Sequence, residues 1–271
     1  MMLKGKTYLI TGIADEHSLA MYVAKKIKEN GGNVICTGLG VSQFHDNLSD
    51  KAKSFLNQTF KDFQDSVHKI LGKDTPTEIL DVTLEDSIIN FCDTLKKQNI
   101  KIDGFLHAIA MDKTIRNKVV KPLLDVTFKE FCDAMEVSAF SLVSITSHLF
   151  KNNLLNADAS ICSLSYIAAS KVTFHPYRNI SIAKAALERI TVELADEMGR
   201  KNGTRVNCLR FSPYMGSKAG NATLNEKDVE FAHRKSPLGN ALPEDLAYEV
   251  LNLLRPNGRT TGEIRHVDGG Y

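Results

Sequence analysis

Short apolar runs alternate with stretches of helical periodicity from one end of this chain to the other, and that alternation restricts the fold more than any other feature. Tyr8, Leu9 and Ile10 form the first apolar run. After a turn, Leu19, Ala20, Val23, Ala24 and Ile27 recur at helical spacing. Gly31 and Gly32 stop that helix, and Val34 to Thr37 starts the next strand. The unit then repeats. Strands are predicted over 77–83, 102–111, 159–168, 204–213 and 262–271, and helices over 86–98, 127–152, 177–202 and 243–254. Strands separated by helices require a parallel sheet covered on both faces. The expected fold class is therefore α/β, a doubly wound parallel sheet of about seven strands flanked by helices and joined by right-handed crossovers. No repeat or linker interrupts residues 1–271, which read as one domain. The polar segment 41–76 is longer than one crossover helix needs. It reads as a surface elaboration with an amphipathic helix around Phe60 to Leu71.

Composition narrows the function classes. Formal net charge is only +2, which gives no reason to expect nucleic acid or an anionic membrane as partner. The five cysteines are scattered, with no CxxC pair. They suit buried thiols in a reducing compartment and no metal site. No apolar run is long enough to span a membrane, and the first one is too short for a secretion signal. The expected location is cytoplasmic.

In an open parallel sheet, ligands bind beyond the C-terminal strand ends where strand order reverses. The first strand ends in "TGIADEHSLA". Gly12 permits a tight turn next to Ile13, and a helix starting near Ser18 and Leu19 would aim its positive dipole end at a phosphate group. A purely structural glycine turn fits this stretch equally well. The second strand ends at Leu39, which is neither the acid that binds a ribose 2′-hydroxyl nor the base that binds a 2′-phosphate. Asp81 and Val82, at the third strand end, suit an adenine contact, or Asp81 caps the following helix.

Tyr177 and Lys184 are seven positions apart. Seven helical steps of about 100° leave them roughly 20° from eclipsed, so one helix face would carry both. A nearby ammonium lowers the pKa of a phenol and makes it a usable acid. The spacing alone is common. On the helix after the fifth strand of a nucleotide-binding sheet it points to catalysis.

Over nearly its whole length the sequence resembles the short-chain dehydrogenase/reductase superfamily, whose domain is a Rossmann fold. The carriers are "TGIADEHSLA", the "DV" at Asp81, Tyr177-x6-Lys184, the "RVN" at Arg205 and the terminal "TGEIRHVDGG". Within it, the chain is most similar to the NADH-dependent enoyl-acyl carrier protein reductases. Gly12, Ser18 and Ala20 match that branch's G-x5-S-x-A turn, Leu164-Ser165-Tyr166 its "LSY" segment, and His107-Ala108-Ile109 its fourth strand end. The resemblance implies an oxidoreductase that takes NADH, with NADPH not excluded. The substrate would be a 2-enoyl thioester on acyl carrier protein, in fatty-acid or related acyl-chain biosynthesis. It also implies a homotetramer. Tyr177, Lys184 and Tyr166 would be catalytic. Gly12, Ile13, Ser18, Leu19, Leu39, Asp81, Val82, Ala108, Ile109, Ala110, Lys184, Pro213 and Tyr214 would hold the cofactor.

Two stretches depart from the family pattern. After the sixth strand, Phe211-Ser212-Pro213-Tyr214-Met215-Gly216 replaces Ala/Ala-Gly-Pro-Ile-Arg-Thr, and Gly216 stands where a threonine meets pyrophosphate. Ala110 stands where the family has glycine, and its Cβ is expected to crowd the nicotinamide ribose. Residues 214–235 read as a flap over the substrate, with Gly216 and Gly220 as hinges. Two other readings stay open. A carbonyl or alcohol dehydrogenase would need a serine where Leu164 stands, although Ser163 and Ser165 flank it. A non-catalytic binding protein would retain the fold with a weakened cofactor site.

Overall fold

The computed structural model describes every residue except Met1, Asp46 and Pro176, and the side chain of Ala219. Its strands and helices run in the expected order: β1 (Thr7–Ile10), α1 (Leu19–Glu29), β2 (Asn33–Gly38), α2 (Asp50–Leu71), β3 (Thr77–Ile79), α3 (Glu85–Lys97) and β4 (Ile102–His107). A two-stranded hairpin follows, β5 (Ile115–Arg116) with β6 (Val119–Val120). Then come α4 (Phe128–Met135), a π-helical turn (Glu136–Phe140), α5 (Ser141–Lys151), β7 (Leu155–Tyr166), α6 (Asn179–Asn202) and β8 (Arg205–Phe211). The chain closes with α7 (Lys218–Thr223), α8 (Glu226–Lys235), α9 (Pro243–Leu254) and β9 (Ile264–Val267).

The main sheet has seven parallel strands in the order β3-β2-β1-β4-β7-β8-β9. The chain starts in the middle, winds out to β3, then returns to the other side of β1. Strand order therefore reverses between β1 and β4. Alternation along each strand feeds two cores. Tyr8, Ile10, Val34, Cys36 and Leu106 point to the layer of α1, α2 and α9. Leu9, Ile35, Phe105, Ile161 and Val206 point to the layer of α3, α5 and α6. Arg205 ties the start of β8 to the C-terminus of α9 by donating to the carbonyls of Leu253 and Arg255 (both 2.7 Å). Asn207 donates to Thr260 O and accepts from Glu263 N, which brings β9 to the sheet edge.

The segment 41–76 differs from the expectation. One 22-residue helix, α2, fills most of it, and this helix is the crossover from β2 to β3. Ser49 caps it by accepting from Ala52 N, and Phe63, Val67 and Leu71 bury one face. The polar residues that looked like an elaboration are its solvent side.

Candidate active site

At the reversal between β1 and β4, Gly12 adopts φ +82°. A Cβ there would lie 2.1 Å from Ala108 O, so only glycine lets the β1 turn lie against the end of β4. Ser18 organises this turn. Its hydroxyl accepts from Ala14 N (3.0 Å) and Asp15 N (3.1 Å) and donates to Asp15 Oδ1 (2.9 Å). Asp15 Oδ1 also accepts from His17 N, while Oδ2 accepts from Lys218 N at the start of α7 (3.2 Å). Further along the strand ends, Leu39 is exposed, and Asp81 is engaged from both sides. Asp81 Oδ1 accepts from Thr83 N (2.9 Å) and Thr83 Oγ1 (2.7 Å). Oδ2 lies 3.1 Å from His45 Nε2. Ser42 N donates to His45 Nδ1, so Nε2 carries the proton and donates to Asp81.

A cleft of about 360 Å³ opens next to this row of strand ends. Leu19, Ala110, Tyr166, Tyr177, Lys184, Pro213 and Tyr214 all line it. The rings of Tyr166 and Tyr177 meet edge to face with centroids 5.3 Å apart. Lys184 donates to Leu164 O (2.9 Å) and Ile109 O (3.3 Å), bridging the ends of β7 and β4. Burial pulls its pKa down to about 8, partly offset by the nearby Glu188 carboxylate. His107 lies fully buried below. Ser141 donates to Val137 O (2.7 Å), so it accepts from His107 Nε2 (2.7 Å). Burial and the charge of Lys184 hold the His107 pKa down to about 3, which keeps the ring neutral.

Two expectations about the tyrosine–lysine pair are corrected. The helix begins at Asn179, not at Tyr177, because Arg178 takes φ 53° and ψ −110° and breaks the helical run. Tyr177 reaches the cleft from the loop, so helical phase does not align it with Lys184. Nor does Lys184 lower the phenol's pKa. The ammonium is directed at two carbonyls, while burial raises the Tyr177 pKa, opposed by a hydrogen bond from Thr223 and reinforced by Asp228. Burial likewise raises that of Tyr166.

The segment 214–235 is not a plain loop. Thr223 of α7 reaches Tyr177, Phe231 of α8 stacks on Phe174 (4.2 Å), and Asp228 Oδ2 lies 3.3 Å from His175 Nδ1. The departures at Tyr214 and Gly216 explain each other. A Cβ on Gly216 would lie 2.1 Å from the Tyr214 hydroxyl oxygen and 2.3 Å from Cζ. The tyrosine ring, packed near Phe211 and hydrogen-bonded to Tyr22, occupies the space a side chain at 216 would need.

Sequence reasoning missed several groups here. Glu188 is buried and accepts from Ser165 Oγ (2.7 Å), Arg210 Nε (2.8 Å) and Arg210 Nη2 (2.6 Å), clamping the β7 end that carries Tyr166. Its position four residues after Lys184 was a usable signal. Thr223, His45, Asp112 and Asn179 gave none, because tertiary contact alone brings them to the strand ends.

With this geometry in hand, similarity to known proteins is specific. The family model for enoyl-(acyl carrier protein) reductase matches residues 12–271. The NADH-type enoyl-[acyl-carrier-protein] reductase FabI of Aquifex aeolicus is 29% identical over 272 residues, spanning 100% of this chain and 92% of that protein. FabI of Rickettsia bellii is 30% identical over 273 residues, spanning 100% and 95%. The crystal structure of the FabI–NADH complex from Alistipes finegoldii superposes with a TM-score of 0.84 at 28% identity, covering 99% of this chain and 88% of that one.

Proposed function

The chain belongs to the enoyl-(acyl carrier protein) reductase family, and from that premise we propose that it reduces the carbon–carbon double bond of a 2-enoyl thioester with NADH. The observation that carries this reading is the single cleft at the strand-order reversal into which Tyr166, Tyr177 and Lys184 all project.

The residues fit a dinucleotide. Gly12 keeps the first turn flat against Ala108, the first turn of α1 opens on the cleft through Leu19, and Leu39, Asp81 and Val82 lie at or just beyond the ends of β2 and β3. Gly12, Ile13, Ser18 and Leu19 would hold the pyrophosphate side, and Leu39, Asp81 and Val82 the adenosine side. Ala108, Ile109, Ala110, Lys184, Pro213 and Tyr214 would hold the nicotinamide side. When bound, NADH supplies the hydride that reaches the β-carbon of the substrate. Tyr177 then donates a hydrogen bond to the thioester oxygen as it takes on enolate charge, and a proton delivered to the α-carbon completes the reduction. A donor aimed at a developing oxyanion is a large catalytic term, and the high pKa of Tyr177 keeps it protonated for that role. Lys184 remains charged near neutrality and orients the ribose with the donor that Leu164 and Ile109 leave available. Tyr166 walls the acyl side. Helices α7 and α8 form a flap that covers the substrate and excludes water.

The acyl group arrives on acyl carrier protein. The working form is a cytoplasmic homotetramer. Among the described residues no helix is long and apolar enough to cross a membrane. Leu124, Phe128 and Phe140, on and beside α4 and the π turn, are exposed apolar side chains that suit burial against a second copy.

Titration with NADH and NADPH by fluorescence, followed by crotonyl or acetoacetyl thioester, tests this reading. Oxidation of NADH with the crotonyl substrate alone is expected. Oxidation with the ketone alone would replace it with a carbonyl reductase, and failure to bind either nucleotide would leave a non-catalytic fold. Tyr177→Phe is expected to lower turnover by roughly 10²–10³-fold while NADH affinity is unchanged.

A further inference from the structure

Tyr177 stands outside α6, so the helix does not set its ring. Neighbouring side chains do. The ring lies edge to face with both Tyr166 and His175, with centroids 5.3 Å and 5.0 Å away. Thr223, the last residue of α7, hydrogen-bonds it. His175 is itself held from outside the loop. Its Nδ1 lies 3.3 Å from Asp228 Oδ2, and the two side chains are 11% and 7% exposed. Nε2 is buried and has no hydrogen-bond partner among the described residues, so the orientation of the imidazole rests on Asp228. A polar contact shielded from water in this way counts for more than one at the surface.

Asp228 is not free to follow the loop. It sits in the first turn of α8, where Oδ2 also accepts from Asn225 N (2.9 Å) and Asp228 N donates to Asn225 Oδ1 (3.1 Å). The carboxylate is therefore tied to the start of the flap helix. One residue before His175, Phe174 stacks on Phe231 of the same helix (4.2 Å). The loop is thus fastened to α8 at two successive positions, and the second of them bears directly on the phenol ring.

We propose that His175 and Asp228 are positioning residues through which α8 sets the Tyr177 ring, so that the phenol reaches its working geometry only while the flap is closed. The inference rests on the reductase reading above and gives the flap a second task besides covering the substrate. A misplacement of about 1 Å at a reacting group costs up to roughly 100-fold in rate. With the flap raised, the protein would still bind NADH, but the phenol would no longer be aimed at the thioester oxygen. Closure then assembles the site as well as sealing it.

The test compares His175→Leu, which keeps the bulk and loses the nitrogen facing Asp228, with His175→Asn, whose amide puts a donor back near the place of Nδ1. With crotonyl-coenzyme A, His175→Leu is expected to lower kcat by roughly 10–100-fold while KM for NADH changes less than about twofold. His175→Asn is expected to recover most of that loss. In a Tyr177→Phe background the same His175→Leu change should have no further effect, because the pair acts only through the phenol. No loss in the wild-type background, or an equal loss in both, overturns the proposal, since damage to the fold would act in both. Phe231→Ala, at a half-buried position, carries the same expectations if His175→Leu does not fold. A second readout does not need turnover. With fluorotyrosine at all seven tyrosines, the fluorine resonance that Tyr177→Phe removes is assigned to Tyr177. It should shift or broaden in His175→Leu and return in His175→Asn. An unmoved resonance overturns the positioning role and leaves the reductase reading standing. A wild type that turns over no enoyl thioester overturns the reductase reading, and a moved resonance then still supports the hold of α8 on Tyr177.

Discussion

Gly216→Ala is the sharpest probe of how this chain departs from its relatives. The added Cβ would meet Tyr214 at 2.1 Å from its hydroxyl oxygen, 2.3 Å from Cζ and 2.8 Å from Cε2. All three atoms belong to one rigid ring, so the ring has to swing as a unit. That motion sacrifices the hydrogen bond to Tyr22 and the packing near Phe211. Overpacking of this kind costs about 1–3 kcal/mol, of which a neutral hydrogen bond accounts for about 1. At roughly 2–4 °C per kcal/mol in a chain of this size, the melting temperature should fall by roughly 2–12 °C. In a Tyr214→Ala background the obstacle is gone, and the same Gly216→Ala change should cost under about 0.5 kcal/mol. The assay is a thermal melt of the wild type, both single variants and the double variant. Their coupling should be of order 1–2 kcal/mol. A Gly216→Ala protein as stable as the wild type, or equal costs in both backgrounds, would refute the claim that the Tyr214 ring excludes a side chain at 216.

Further outcomes follow from the same geometry. The pKa of Lys184, about 8 in the folded protein against 10.5 for an ordinary lysine, should set activity and stability on opposite slopes. Above about pH 8 the ammonium is lost and kcat/KM should fall. Between that pH and about 10.4 the unfolded chain alone holds the proton, so Lys184 should contribute up to roughly 3 kcal/mol of added stability as pH rises. Lys184→Met should abolish that share of the alkaline gain, measured as the difference between the two proteins' melts at pH 7 and pH 9.5. Gly12→Ala should destabilise the protein by at least about 1–3 kcal/mol from backbone strain alone, since φ is +82° and Ala108 O blocks the new methyl group. An unperturbed melt and NADH affinity would contradict the close approach of β1 to β4.

Much of this architecture could be read directly from the chain. Strand and helix periodicities are local properties, so the parallel sheet and most of its crossovers were legible, as was the Gly12 turn. Tyr177, Tyr166 and Lys184 could be placed at the cleft because residue type and position after a given strand restrict where a side chain can go. What escaped was set by individual dihedrals or distant contacts. The left-handed φ of Arg178, which detaches Tyr177 from α6, has no hydrophobic pattern behind it. The crossover α2 looked like an insertion because its exposed side is rich in lysine and aspartate. Helices α7 and α8 were hidden in a segment whose glycines suggested hinges. The pairing of Asp112 with Asn179 spans 67 residues and becomes visible only when the loop after β4 meets the start of α6.

The π turn at Glu136–Phe140 joins α4 and α5 into what is otherwise one rod. A π turn holds one residue more than the α-helix would use over the same rise. Within it, Ser138 accepts from Met111 N (2.9 Å) and donates to Met111 O (3.1 Å), while Ser141, just beyond, reaches His107. Deleting one residue here would restore a regular helix over nearly the same rise and leave α5 close to its present phase. The change would fall on the turn itself, and the clasp of Ser138 on the loop after β4 would be lost. The surplus residue works as a local hook, and shortening this chain by a single amino acid at that point should loosen that loop while leaving the helix whole.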